Sequence, residues 1–352
     1  MVVVNMAAQL RVLHITPNLF VPGRMGGGER YVQQLVHAQI DLGLSVQVVA
    51  VVSFQQIQLE SGAPTVGLMR GFKRLLKLAR QTDIIHVHQL NTQGFDLALL
   101  LARLSGTPLV LTDHGGDRYT PGRLLGSRRL AMVSAVAAVS PFSLRDIDPK
   151  GIARRSEVIW GGGDHLTGGA TNSNRTDVLF VGRLLPHKGI HILIEALPAQ
   201  MSLRIVGETR DAEYRRSLQQ LANNKDVVFE GAPADGQLRA LYQASDVLVL
   251  PSVEMFEGKR YRRPELLGLV VLESLAAGTP VIGSSVGGLA ELLQLTWQTS
   301  VAPGNVDALR EALVKGSFSL PPQERLSDLT WSATARRCLS LYQELATAHA
   351  ER

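Results

Sequence analysis

Apolar residues fall in short, β-branched runs along this chain, and helical patterns alternate with them. LRVLHIT (10–16), SVQVVAVV (45–52), DIIHVHQ (83–89), TPLVLT (107–112), AMVSAVAAVS (131–140) and SEVIW (156–160) are each too short for a buried helix. They read as strands covered on both faces, as in a parallel sheet. Between the first two runs, Tyr31, Leu35, Ala38 and Ile40 recur at helical spacing and stop at Gly43. Gly26, Gly27 and Gly28 open that helix, so the chain begins strand, glycine loop, helix, strand. This is the phosphate-approach geometry of nucleotide-binding folds, although no G-x-G-x-x-G fingerprint is present. FDLALLLARLSG (95–106) is a further helix, and Ser140 caps the one after it.

The alternation restarts after residue 176. DVLFVGRLLPHKGIHILIEAL (177–197) gives strand, loop and helix, and MSLRIVGE (201–208), VVFEG (227–231), DVLVLPS (246–252) and PVIGSS (280–285) supply more strands. Residues 211–222, 235–245, 270–277 and 331–347 read as helices. The stretch GGGDHLTGGATNSNRT (161–176) carries five glycines and reads as the linker between two α/β domains. The expected organisation is a domain over 1–165, a domain over 166–330 and a final helical segment over 331–352.

Composition narrows the class. At 352 residues the chain exceeds the size at which one core stops growing, and 45% apolar with 19% charged residues is that of a globular protein. The one cysteine, Cys338, excludes an internal disulfide framework and fits a reducing, cytoplasmic setting. No apolar run approaches membrane-spanning length, and the N-terminus lacks the basic segment of a signal peptide. The net charge of +5 is uneven: residues 1–165 hold 17 Lys/Arg against 11 Asp/Glu, while residues 166–352 hold 19 against 20. Part of the excess lies on 68–80, where Phe72, Leu75, Leu76 and Ala79 share one face and Arg70, Lys73, Arg74, Lys77 and Arg80 the other. Such a helix either lies on an anionic membrane or is an ordinary sheet-covering helix with a solvated basic face, and the second reading is favoured. Aromatics are sparse and no nucleic-acid motif is present, so nucleic acid is not an expected partner.

The chemistry concentrates around residues 264–280. Glu265 and Glu273 have seven residues between them, Leu266, Leu267, Gly268, Leu269 and the first turn of a helix. Backbone N–H groups of the loop and the helix N-terminus suit a diphosphate, and two carboxylates beside it suit the hydroxyls of a sugar and a ribose. Upstream, Arg183 and Lys188, five positions apart between Gly182 and Gly189, supply two cations to a strand-to-helix loop. Such a pair neutralises a leaving diphosphate. Asp113 and His114 follow the strand PLVLT at its C-terminal end, where open α/β sheets bind ligands, and Arg118, Arg123, Arg128 and Arg129 come after, either to hold an acidic or phosphorylated acceptor or as a solvated loop. His86 and His88 share one strand face and read as a polar strand end at a cleft rather than a metal site.

The E-x7-E and R-x4-K spacings together resemble retaining glycosyltransferases of the GT-B fold, in particular glycosyltransferase family four. The family carries Phe-Gly where this chain has Leu267-Gly268, which leaves the backbone role intact and donor preference open. The resemblance implies two Rossmann-like domains facing across a cleft, with the last helix crossing back to the N-terminal domain. It implies transfer of a hexosyl unit from a nucleoside diphosphate sugar, UDP-sugar ahead of GDP-mannose, to a hydroxyl on a small polar aglycone, a lipid-linked sugar or a polysaccharide. By the same resemblance Glu265 orients the donor sugar, Glu273 holds the ribose, and Arg183 and Lys188 stabilise the leaving diphosphate. Gly27, Gly28, Gly182, Gly207, Gly231 and the backbone of Leu266 to Leu269 contact the donor. His114 positions the sugar, and Glu29, Asp113 and Arg118 face the acceptor. No metal and no cofactor are implied. A sugar-nucleotide 2-epimerase on the same fold and a non-enzymatic nucleotide-sugar-binding module stay open as alternatives. Several relatives dock on membranes, which keeps a peripheral contact through 68–80 in view. The insert VEMFEGKRYRRPE (253–265) is longer and more basic than the family loop.

Overall fold

The computed structural model of the protein describes residues 10–17, 26–53, 56–58, 66–90, 92–115, 126–168, 176–209 and 211–351. The chain divides into two compact units, one ending at Trp160 and resumed from Trp331, the other Gly161–Thr330. Each is a sheet covered by helices.

The first unit's strands are β1 (Arg11–Thr16), β2 (Ser45–Ser53), β3 (Gln56–Gln58), β4 (Val66–Gly67), β5 (Ile84–His88), β6 (Leu109–Thr112), β7 (Ala135–Ala138) and β8 (Ser156–Val158). They pair in the order β4-β3-β2-β1-β5-β6-β7-β8, parallel except at β2-β3 and β3-β4. Its helices are α1 (Gly27–Asp41), α2 (Leu68–Arg80), α3 (Gln93–Ser105) and α4 (Pro141–Ile147). Alternation along the strands divides the faces: Leu13, Ile15, Ile85, Val87, Leu109 and Leu111 enter one apolar core with Leu75, Ala79, Phe95 and Leu101. Helices begin where the sequence supplies a cap, as at Thr92, whose Oγ1 accepts from Phe95 N (3.2 Å), and Ser140, whose Oγ accepts from Ser143 N (3.0 Å).

Helix α2 sends Leu75 and Ala79 into this core, with Phe72 and Leu76 packed against it, while Lys73, Arg74, Lys77 and Arg80 are exposed. Its apolar face is therefore occupied by the sheet. Ile40, counted on the buried face of α1 from spacing, is 51% exposed, while Tyr31, Leu35 and Ala38 are buried.

The second unit contains β9 (Thr176–Val181), α5 (Ile190–Ala196), β10 (Leu203–Val206), α6 (Ala212–Leu221), β11 (Val227–Glu230), α7 (Asp235–Gln243) and β12 (Ser245–Leu250). A two-strand hairpin follows, β13 (Met255–Phe256) and β14 (Lys259–Arg260), then α8 (Leu269–Ala277), β15 (Val281–Ser284), α9 (Gly287–Leu295), β16 (Thr299–Val301), α10 (Val306–Lys315) and α11 (Gln323–Leu326). The main sheet runs β11-β10-β9-β12-β15-β16, all parallel. Chain order reverses between β9 and β12, so the loops after those two strands flank the switch point where such sheets bind ligands.

The last helix, α12 (Trp331–Ala350), belongs to the first unit. Trp331, Cys338, Leu341 and Tyr342 are buried there, and burial raises the Cys338 thiol to about 12, as expected of an inert core cysteine. The glycine-rich segment 161–176 is not loose throughout. Gly161, Gly162 and Gly163 are buried, and a Cβ on Gly163 would stand 2.0 Å from Leu272 O in α8. Those glycines serve close backbone approach, which composition alone reads as a linker. Among the described residues no helix is long and apolar enough to cross a membrane.

Candidate active site

In the second unit, the loops after β9 and β12 meet side chain to side chain. Lys188 Nζ bonds Glu265 Oε1, which also accepts from Ser252 Oγ at 3.0 Å. The two loops lock through their backbones as well: Val253 N donates to His187 O (2.8 Å), and Gly189, at φ +69, lies where a Cβ would fall 1.8 Å from Pro251 O. Only glycine fits both the conformation and the contact. Glu265 is 9% exposed, and its own carbonyl accepts from Gly288 N (2.9 Å), tying it to the start of α9. Arg183, on the same loop as Lys188, is exposed. The structure thus gives one cation of the R-x4-K pair a carboxylate partner and turns the other to solvent.

Gly268 caps α8 at φ +84, the left-handed conformation its place in the loop required. Leu266, Leu267 and Leu269 are buried, so this segment offers backbone rather than side chain. Glu273 lies inside α8 at 2% exposure; its Oε2 accepts from Tyr242 OH at 3.0 Å, and its Oε1 stands 3.4 Å from His165 Nε2. Tyr242 and His165 escaped sequence reasoning because both reach Glu273 from distant segments.

Gly182 and Gly207 end adjacent strands at φ +154 and +145, and a Cβ on Gly207 would fall 1.9 Å from Gly182 O. Gly207→Ala is therefore expected to cost about 2 kcal/mol through backbone strain. At Gly231 a Cβ meets nothing nearer than Glu208 Oε1 at 3.9 Å, so Gly231→Ala should stay within about 0.5 kcal/mol. Urea unfolding of the two variants checks this, and equal midpoints would refute the contact. Beside Gly231, residues Glu230, Pro233, Gln237, Ala240 and Leu241 line an open hollow.

The basic insert is an ordered hairpin turning at Glu257 (φ +46) and Gly258 (φ +76). Phe256 packs 4.8 Å from the His191 ring, and Tyr261 packs 4.8 Å from the ring of His187. His187, inside the R-x4-K loop, was not singled out from sequence. Burial, reinforced by Lys188, lowers its pKa to about 4, so it is neutral at physiological pH.

In the first unit, Gly28 faces His114: a Cβ there would stand 3.0 Å from His114 Cβ. Tyr31 lies 4.7 Å from the same ring. His114 Nε2 is 3.1 Å from His88 Nδ1. Burial lowers the His114 pKa to about 4 against the opposing charges of Asp113 and Glu29. Glu29 also closes the helix start, its Oε2 accepting from Gly26 N (3.0 Å), while Gly27 has open space around it. Asp113 is 1% exposed and accepts from Leu90 N at 2.9 Å, which joins the ends of β5 and β6. Gln89, a non-glycine residue at φ +88, donates through Nε2 to Gly115 O beside His114. Strain of that kind collects at functional sites, and nothing in the local sequence signals it.

Two expectations are corrected. His86 and His88 do not form a polar strand end: they are 0% and 1% exposed and lie against His14, with one nitrogen of each of the three within 4.8 Å of the others. Arg129, expected either to hold an acidic or phosphorylated acceptor or to lie in a solvated loop, is 6% exposed, paired with Asp96 and stacked 4.7 Å over the Phe95 ring. Arg118 and Arg123 lie outside the described residues.

Two such α/β units, each a largely parallel sheet covered by helices, have the architecture of the GT-B class. Comparison with known proteins agrees. Residues 25–165 match the profile "Glycosyltransferase Family 4", and residues 168–316 match "Glycosyl transferases group 1". The chain belongs to this glycosyltransferase family. It is 30% identical over 196 residues to a D-inositol 3-phosphate glycosyltransferase of Corynebacterium efficiens, covering 49% of this chain and 44% of that one. Across the first curated relatives the chain spans between 29% and 58% of their length. Sucrose-phosphate synthase of Thermosynechococcus elongatus shares the fold with a TM-score of 0.72 and 21% identity, over 97% of this chain and 100% of that one. HepE of Anabaena, solved in complex with UDP-glucose, does so with a TM-score of 0.64 and 20% identity, over 97% and 100%.

Proposed function

We propose that this protein transfers a hexosyl unit from a nucleoside diphosphate sugar to an acceptor hydroxyl, with retention at the anomeric carbon. The observation that carries the reading is the Lys188–Glu265–Ser252 cluster at the β9/β12 switch point, beside the Gly268-capped start of α8. In the reaction the bond from the sugar's anomeric carbon to the diphosphate oxygen breaks and a bond to the acceptor oxygen forms. The acceptor proton passes to the departing diphosphate on the same face.

Lys188 and Arg183 neutralise the charge that develops on the leaving group, aided by the backbone of residues 266–268. Glu265 orients the sugar through its hydroxyls, Glu273 takes the ribose, and His114 a sugar or acceptor hydroxyl. Charge neutralisation by two side-chain cations gives the reaction no need of a divalent ion. UDP is the favoured nucleotide, supported by the UDP-glucose complex of HepE. A phosphorylated polyol or sugar acceptor is supported by the names of the inositol-phosphate and sucrose-phosphate enzymes.

Thermal-shift binding with UDP, GDP, ADP and dTDP tests the reading. One nucleotide should raise Tm, and both Glu273→Ala and Arg183→Ala should abolish the shift. No shift with any nucleotide on folded protein would refute nucleotide-sugar chemistry. Sugar release or epimerised nucleotide sugar, without acceptor dependence, would favour the epimerase instead.

A further inference from the structure

Behind His114 the first unit contains one unbroken chain of side-chain hydrogen bonds. His114 Nε2 meets His88 Nδ1 at 3.1 Å, and His88 Nε2 meets His14 Nδ1 at 2.8 Å. His14 Nε2 meets Gln39 Oε1 at 2.8 Å, and Gln39 Nε2 donates to Tyr342 OH at 3.1 Å. Tyr342 OH is 2.6 Å from His86 Nδ1, and His86 Nε2 is 2.8 Å from Thr112 Oγ1. The fold assembles this from β1, β5 and β6, whose register sets His14 beside His86 and His88 beside Thr112, and from α1 and α12. All of these residues except His114 are buried at 2% exposure or less.

The direction of every bond follows from two facts. A carbonyl oxygen only accepts, so His14 Nε2 carries a proton facing Gln39 Oε1. Burial depresses all four histidine pKa values, so each ring is neutral and holds a single proton. His14 Nδ1 then accepts, His88 Nε2 donates to it, His88 Nδ1 accepts, and His114 Nε2 donates. On the other branch the Gln39 amide donates to Tyr342 OH, and the phenol proton is directed to His86 Nδ1 at 2.6 Å, with the Cys338 thiol as a further neighbour. One orientation of the Gln39 amide serves both branches, its oxygen accepting from His14 and its nitrogen donating to Tyr342. Turning that one amide over would reverse every bond and move the His114 proton to Nδ1.

We propose that this chain, anchored by Gln39 and Tyr342, fixes His114 as the Nε2–H tautomer and leaves its Nδ1 lone pair to accept a hydrogen bond from a substrate hydroxyl. The substrate half rests on the transfer function proposed above; the tautomer half does not. His88, His14, Gln39 and Tyr342 are positioning residues, acting on substrate only through His114.

The test is long-range proton–nitrogen correlation NMR on the full chain labelled with ¹⁵N-histidine, in neutral buffer without ligand. His14, His86, His88 and His114 should all appear neutral with the proton on Nε2. A proton on His114 Nδ1 overturns the proposal. So does stoichiometric zinc uptake that shifts the His14, His86 and His88 nitrogens, because a cation would take lone pairs the chain uses. Gln39→Met keeps the volume and removes the acceptor; His114, two rings away, should then change from one tautomer to a mixture. An unchanged His114 tautomer in that variant would overturn the relay. With nucleotide binding intact, kcat/KM of Gln39→Met should fall about tenfold, the weight of one misdirected hydrogen bond. An unchanged rate beside a changed tautomer overturns the substrate role of His114. Loss of nucleotide binding in the unmodified protein overturns the transfer reading and leaves the tautomer result standing.

Discussion

Replacing Lys188 with methionine is expected to lower kcat about 10²–10³-fold, the effect of removing one group that stabilises developing charge. The same change should cost about 3 kcal/mol of stability, because Glu265, 9% exposed, keeps only Ser252 as a side-chain partner among the described residues. Two companions separate the effects. Lys188→Met combined with Glu265→Gln removes the stranded carboxylate, so stability should recover while activity does not. Arg183→Met removes an exposed cation, so stability should move by less than about 0.5 kcal/mol while kcat falls. Urea midpoints and initial rates on the three variants decide the matter. Full activity in Lys188→Met would remove the β9/β12 loops from the chemistry.

Much of this site was legible because its motifs are local. Arg183 and Lys188 share one loop, and Glu265 through Glu273 is one loop and the helix that follows it. Alternating strand and helix patterns placed both loops at strand ends, where the sheet order then brought them together. The partners were not legible. Tyr242 reaches Glu273 from another helix, and His165 reaches it from a stretch whose glycines suggest flexibility. Gly163 shows why that suggestion fails: a glycine chosen for close approach is indistinguishable in sequence from one chosen for freedom. The buried histidines were misjudged for a related reason. The H-x-H spacing of His86 and His88 fixes a shared strand face, but only the pairing of β1 with β5 and the return of α12 decide that the face is interior. The bond between Gln39 and Tyr342 spans nearly the whole chain.

That interior placement predicts acid lability in the first unit. In the folded protein burial holds His14 and His114 at about 4 and His86 and His88 well below the ordinary value. In the unfolded chain all four return to about 6.5. A depressed histidine leaves the native state neutral while the unfolded state takes up a proton, so acid favours unfolding. The stability is fully present above pH ~6.5 and is lost as pH falls from there toward ~4, at about 1.4 kcal/mol per pH unit for each histidine. Asp113 and Glu29 oppose this at His114 but do not cancel it. In the second unit His187 and His191 are depressed and both are half-buried, so the acid loss from these two is smaller. Fluorescence of Trp331, buried against Tyr31, should therefore report unfolding of the first unit at a higher pH than exposed Trp297 reports for the second. In His86→Gln the slope of stability against pH should fall by one proton. A stability that stays flat between pH ~6.5 and ~4 would mean that the rings are charged or hydrated in the folded chain, and neither is compatible with His14, His88 and His114 bonded ring to ring, His14 to Gln39, and His86 to Tyr342 and Thr112.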